Sequence, residues 1–155
     1  MPQGRYQKIV VPVDASGSSQ RAIPHAVEIA QANDSEIIIL HVFKPPAHEY
    51  SDIIALSGNE NQVDDIRNEV KQFLISMRNQ LRDEGLNCRV QMIEGAGTAH
   101  LICDYINNEN VDLVIMSTRG HTGLARFVFG SVAQKVLHGV RVPVMLVYPD
   151  DNTQP

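Results

Sequence analysis

KIVVPVDASGSSQRAIPHAVEIAQANDSEIIILHVF, residues 8–43, is the stretch that decides the fold. Its two ends, KIVVPVD (8–14) and EIIILHVF (36–43), are almost wholly apolar and rich in Val and Ile. A strand wet on one face would alternate apolar with polar, so both read as strands buried on two faces in a parallel sheet. Between them, residues 18–33 place Ala22, Ala26, Ile29 and Ala30 on one face of a helix. Pro24 falls inside that pattern, so a local kink is expected unless the helix starts at Gln20 or later. Strand, helix and strand in 36 residues make one right-handed crossover unit.

Working outward, the same alternation continues. A weaker strand is expected at 89–93, and apolar runs follow at 111–117 (VDLVIMS) and 142–148 (VPVMLVY). Helical patterns separate them at 62–83, 98–108 and 124–140. In the first of these, Val63, Ile66, Val70, Phe73, Met77 and Leu81 recur at three- and four-residue steps. Five strands alternating with four helices predict a doubly wound α/β domain, Rossmann-like, with a parallel sheet covered by helices on both faces. Residues 44–61 carry Pro45 and Pro46 without periodicity and are expected to form a long loop. At 155 residues the chain is expected to be one domain, 1–155.

Composition narrows the function classes. Hydrophobic residues make up 43% and charged residues 20%, an ordinary globular balance. No run reaches the roughly 18–20 apolar residues of a membrane span, and MPQGRYQKIVVPVD lacks the apolar core of a signal peptide, so a cytoplasmic protein without membrane insertion is expected. Cys88 and Cys103 have no CxxC spacing and are expected to be small buried residues of a reducing compartment. The net charge of −5 speaks against a nucleic-acid surface. Yet residues 113–149 contain no Asp or Glu, while Arg119, Arg126, Lys135 and Arg141 all fall there. That asymmetry points to a local anion site.

In doubly wound folds ligands sit outside the carboxyl ends of the strands. The first strand ends in Pro12-Val13-Asp14, followed by small hydroxyl residues. The Asp14 carboxylate could cap the next helix or accept hydrogen bonds from ribose hydroxyls, and the residues alone leave both readings standing. The fourth strand runs into Ser117-Thr118-Arg119-Gly120-His121-Thr122-Gly123, with Gly130-Ser131 further on. Glycines allow backbone N–H groups close to phosphate oxygens, and a helix N-terminus adds partial positive charge. Ser117, Thr118, Thr122 and Ser131 supply hydroxyls, so an anion site is the better reading than a plain turn. There is no GxxxxGK[ST], which argues against a P-loop NTPase. Residues 95–100 (GAGTAH) break the dinucleotide fingerprint at His100 and read as a tight turn with Thr98 as N-cap. His100 and Cys103 share a helical face and are expected to pack in the core. His41, His48 and His138 stand isolated, and no catalytic triad can be assembled.

These residues together resemble the universal stress protein family, of the UspA-like kind, over nearly the whole chain. The features are KIVVPVDAS, the second strand with its final LHV, VDLVIMSTRG, and GSVAQKVLHGVRVPVMLVYP, in order and at the right spacing. ATP-binding members show G-x2-G-x9-G-[ST]; the aligned stretch here is Ser117-x2-Gly120-x9-Gly130-Ser131, with Ser at the first position. The resemblance implies sheet order 3-2-1-4-5, a homodimer through the last strand between Val142 and Tyr148, and an ATP site, with Mg²⁺ left open. It implies that Asp14 holds the ribose or adenine side beside the backbone of Pro12 and Val13, that Val42 contacts adenine, and that Met116 and Ser117 line the sugar. Gly120, Gly130, Ser131 and Val132 would receive the phosphates, with Arg119 supplying charge. The expected function is a nucleotide-dependent dimeric switch in stress signalling, with no dedicated catalysis. The rivals are a dimeric interaction module without nucleotide and a slow ATPase. The resemblance names no protein partner beyond a second copy of the chain.

Overall fold

A computed structural model describes residues 4–14, 17, 19–45, 60–118 and 130–148, and side chains are considered from Gln62 onward in the second helix. Strand β1 is Lys8–Pro12, β2 Glu36–Phe43, β3 Asn87–Glu94, β4 Leu113–Ser117 and β5 Val144–Val147. Helix α1 is Ala22–Asn33, α2 Glu60–Asp83, α3 Thr98–Asn108 and α4 Ser131–Gly139, with a 3-10 turn at Ser19–Arg21. The strands form one parallel sheet of order β3-β2-β1-β4-β5. The runs of β1, β2 and β4 are therefore sandwiched between helical layers. Along β2, Ile37 and Ile39 face one layer, while Ile38, Leu40 and Val42 face the other.

The first layer, α1 and α2, packs Ala22, Ala26, Ala30, Leu74, Met77 and Leu81 against Ile9, Val11, Ile37 and Ile39. The second, α3 and α4, packs Ile102, Ile106, Ala133 and Val136 against Val10, Ile38, Leu40 and Val114. Burying each of the Val, Leu, Ile and Met side chains among them contributes about 1.5–3 kcal/mol. The entry ends of β1 and β4 are tied together by Asp112, whose Oδ2 accepts from the Gln7 and Lys8 N–H groups at 2.9 Å each. In the second layer the two helices touch closely. A Cβ on Gly139 would lie 2.6 Å from Cys103 Sγ, so glycine there lets α4 approach α3.

Several local expectations are corrected. Helix α1 begins at Ala22, after the 3-10 turn, so Pro24 sits in its first turn, where a missing N–H costs no intrahelical bond. The premise of the expected kink is gone. In α2 the buried seam runs through Val70, Leu74, Met77 and Leu81, whereas Ile66 is 42% and Phe73 37% exposed. The seam passes through Arg67, a half-buried position that apolar counting skips. Its guanidinium carbon lies 5.5 Å from the centre of the Phe43 ring, and it pairs with Asp64 and Glu94. Helix α2 starts at Glu60, inside the stretch expected as loop; residues 46–59 lie outside the described ones.

The cap of α3 is Gly97 and not Thr98. With φ of 80° its backbone is in the left-handed region that favours glycine, and Thr98 becomes the first helical residue. His100 does not pack in the core: its exposed ring pairs with Asp104 at 3.2 Å. Cys88 is fully buried, but Cys103 is only half-buried. Helix α4 starts at Ser131, and residues 124–129 lie outside the described ones. Among the described residues, no helix is long and apolar enough to cross a membrane.

Candidate nucleotide-binding site

β1 and β4 are neighbours, and the chain leaves them in opposite directions, toward α1 on one face and α4 on the other. A crevice opens at their carboxyl ends. It is a cavity of about 280 Å³, near the lower end of the usual range for ligand pockets.

Of the eleven residues expected at a site, nine line this cavity. Pro12, Val13 and Asp14 come from the end of β1 and Val42 from β2; Met116 and Ser117 close β4, and Gly130, Ser131 and Val132 open α4. Arg119 and Gly120 lie outside the described residues. Ser117 occupies the last position of β4, and its φ is not in the left-handed region, so the backbone there makes no demand for glycine.

One end of the cavity is a ring of donors. Gly130 caps α4, its own N–H donating to Thr118 O at 2.7 Å, and the helical ladder starts with Gln134 N–H on Gly130 O at 3.1 Å. The N–H groups of Ser131, Val132 and Ala133 therefore have no intrahelical acceptor, and all three residues line the cavity. No acidic residue occupies the first turn of α4. Such a helix end attracts an anion through N–H donors and the helix dipole together.

Asp14 belongs to the same cavity on the β1 side. It precedes α1 by eight residues, and the N-cap position of that helix is Arg21, so capping α1 is not its role. Ser19 holds the Asp14 peptide: its Oγ accepts from Asp14 N–H at 3.0 Å and donates to Asp14 O at 3.1 Å. A third side is apolar, formed by Val42, Ile102 and Met116.

Five lining residues escape sequence reasoning as site members: Ser19, His41, Thr98, Ile102 and Ala133. Helical spacing places Ile102 and Ala133 in the core but not beside a cavity. Thr98 is misread as a cap. His41 looks isolated in sequence, yet its buried ring brings Nδ1 to 2.8 Å from Val13 O. A carbonyl only accepts, so Nδ1 carries the hydrogen and donates. Among the described residues, no group of three or more His, Cys, Asp or Glu side chains is placed to hold a metal ion.

A family model described as the universal stress protein family matches residues 5–148. Universal stress protein MJ0531 of Methanocaldococcus jannaschii is 31% identical over 145 residues, covering 92% of this chain and 82% of the relative. Among solved structures, that of protein MJ0577 superposes with a TM-score of 0.79 at 26% identity, covering 96% of this chain and 99% of the other. The universal stress protein of Archaeoglobus fulgidus in complex with dAMP has a TM-score of 0.65 at 23% identity, covering 92% of this chain and 98% of that one.

Proposed function

Because the chain belongs to the universal stress protein family, we propose that its cavity binds an adenine nucleotide, ATP in the cell, and that the protein acts as a nucleotide-dependent dimeric switch in stress signalling. The observation that carries this reading is the first turn of α4 opening its N–H groups onto the same cavity as Asp14. The dAMP complex of the structural neighbour supports an adenine nucleotide as the ligand class.

The layout follows strand order. Adjacent strands are about 4.8 Å apart, so β2 and β4 lie about 10 Å apart with β1 between them. That is about the reach of a nucleotide from base to 5′-phosphate. The base lies over β2 against Val42 and Ile102, and Met116 and Ser117 on β4 line the sugar. The ribose lies over β1, where the Asp14 carboxylate accepts from its hydroxyls. The phosphates meet the N–H groups of residues 131–133, with the Ser131 hydroxyl beside them. The residues fit the group, and a switch needs no chemical step: the nucleotide shifts a conformational or assembly equilibrium by binding one state better.

The dimer uses β5, the sheet edge. Pro143 O accepts from Val114 N–H and Val147 O from Thr118 N–H, each at 3.0 Å, so residues 143 and 147 face β4. By alternation Val144 and Leu146 turn their backbone groups outward. A second copy pairing there covers an edge that otherwise templates aggregation.

Titration calorimetry with ATP and AMP tests the binding. Micromolar to sub-millimolar affinity is expected, and no binding at millimolar nucleotide would end this reading. Sedimentation with and without ATP tests the switch.

A further inference from the structure

In a parallel ladder the N–H and C=O of one residue point to the same neighbouring strand, and successive residues alternate. Leu40 faces β1: it is in register with Pro12, and its carbonyl accepts from Val13 N–H at 2.8 Å. Two residues on, Val42 faces the same way. The regular ladder would give its N–H the Val13 carbonyl as acceptor. That bond is not formed; the carbonyl meets the Nδ1–H of His41 at 2.8 Å. The β1–β2 ladder thus stops one step early, at the wall of the cavity.

We propose that His41 is a positioning residue for base recognition: by engaging the Val13 carbonyl it keeps the Val42 N–H open to the cavity, as a donor to a ring nitrogen of the base. The inference rests on the nucleotide reading of the site and gives that reading its selectivity. An N–H on the wall with a C=O on the same edge of the strand matches adenine, which offers an acceptor ring nitrogen beside a donor amino group. It mismatches guanine and hypoxanthine, whose corresponding ring nitrogen is itself a donor. His41 also sets the departure of β1, because the peptide after Val13 belongs to Asp14. One buried ring therefore places both the base donor and the ribose acceptor.

The alternative role for a buried histidine is plain structural satisfaction of a carbonyl. The two differ in what happens at Val42. With His41→Leu the Val13 carbonyl is released, the ladder gains its next bond, and the Val42 N–H is consumed. His41→Asn retains a short side chain with an N–H near the Nδ1 position.

The test measures binding of AMP and of ribose 5-phosphate, which lacks the base, to the parent, His41→Leu and His41→Asn proteins. Amide hydrogen exchange at Val42 is followed by NMR in parallel. AMP affinity should fall about fivefold to tenfold in His41→Leu, the effect of one hydrogen bond, with ribose 5-phosphate unaffected and His41→Asn restored to within about twofold. Exchange at Val42 should be fast in the free parent, slow in the parent with AMP, and slow in free His41→Leu. A parent Val42 amide as protected as that of Leu40 overturns the proposal using the parent protein alone. So does a His41→Leu variant that binds AMP like the parent, or loses AMP and ribose 5-phosphate equally. If the parent binds neither compound at millimolar concentration, the nucleotide reading itself fails, a separate result.

Discussion

The Arg67 guanidinium on α2 grips the Glu94 carboxylate at the end of β3, Nη2 to Oε1 at 2.6 Å and Nε to Oε2 at 3.1 Å. The hydrogen bonds from Arg67 hold the Glu94 carboxyl below its ordinary range. A folded-state pKa below the unfolded one contributes stability that is present above the unfolded pKa and lost as pH falls through the depressed value. Arg67→Met should return the Glu94 titration to the usual glutamate range in carboxyl NMR and flatten the acid limb of Tm against pH. The effect is small and salt-sensitive, since the Glu94 side chain is exposed. An unmoved Glu94 titration would show that the pair does not persist in solution.

The seam of α2 gives a stability prediction with a reversed ranking. Counting apolar residues along the sequence marks Phe73 as a core contact, yet Leu74 is the buried one, 1% exposed against 37%. Leu74→Ala should cost about 2–5 kcal/mol, and Phe73→Ala under about 1 kcal/mol, by urea denaturation. Equal losses would refute the rotation of the helix described above.

At the phosphate end, Gly130 has φ of −57° and ψ of 149°, which a valine adopts without strain. Gly130→Val should therefore leave the protein folded while weakening ATP at least about tenfold, about 1.4 kcal/mol, by crowding the N–H groups of residues 131–133. Parent-like ATP affinity in a folded Gly130→Val protein would mean that the phosphates lie elsewhere.

At the ribose end, Asp14→Ala should reduce ATP affinity by about tenfold or more, the range for a hydrogen bond to a charged group. It should change the affinity for 2′,3′-dideoxy-ATP little. Equal losses for both ligands, measured by calorimetry, would remove the ribose-acceptor role.

For the sheet edge, the expected outcome is a dimer at tens of micromolar by sedimentation and a monomer for Leu146→Lys. Leu146 also packs partly against the core, so Met145→Lys, at a side chain 37% exposed in the single chain, serves as the second variant. A monomeric parent would exclude the proposed pairing.

Much of the architecture is legible because β2 is unambiguous: EIIILHVF cannot alternate, so it must be covered twice, and its observed bounds coincide with the run. Strand β4 is shorter than its apolar run because Asp112 turns back to hold the N–H groups of Gln7 and Lys8. Asp14 and Ser131 are legible as neighbours because strand ends converge in this topology, whereas Val42 is legible only through the family resemblance. Ser19 and His41 are not, since their roles depend on which backbone group leaves a ladder unpaired, and composition carries no trace of that. Arg67 hides for the opposite reason: a charged residue on an apolar stripe looks like an interruption until its stem and its partners are seen.

The close fit of Gly139 on Cys103 has a mechanical consequence. The tail of α4 is moored to the middle of α3, and the Asn107 side-chain amide adds a bond to Gly139 O at 3.0 Å. The leading ends of both helices, at Thr98 and Ser131, line the cavity. The helices that bring Thr98 and Ser131 to the cavity thus meet closely at a thiol that lines none of it.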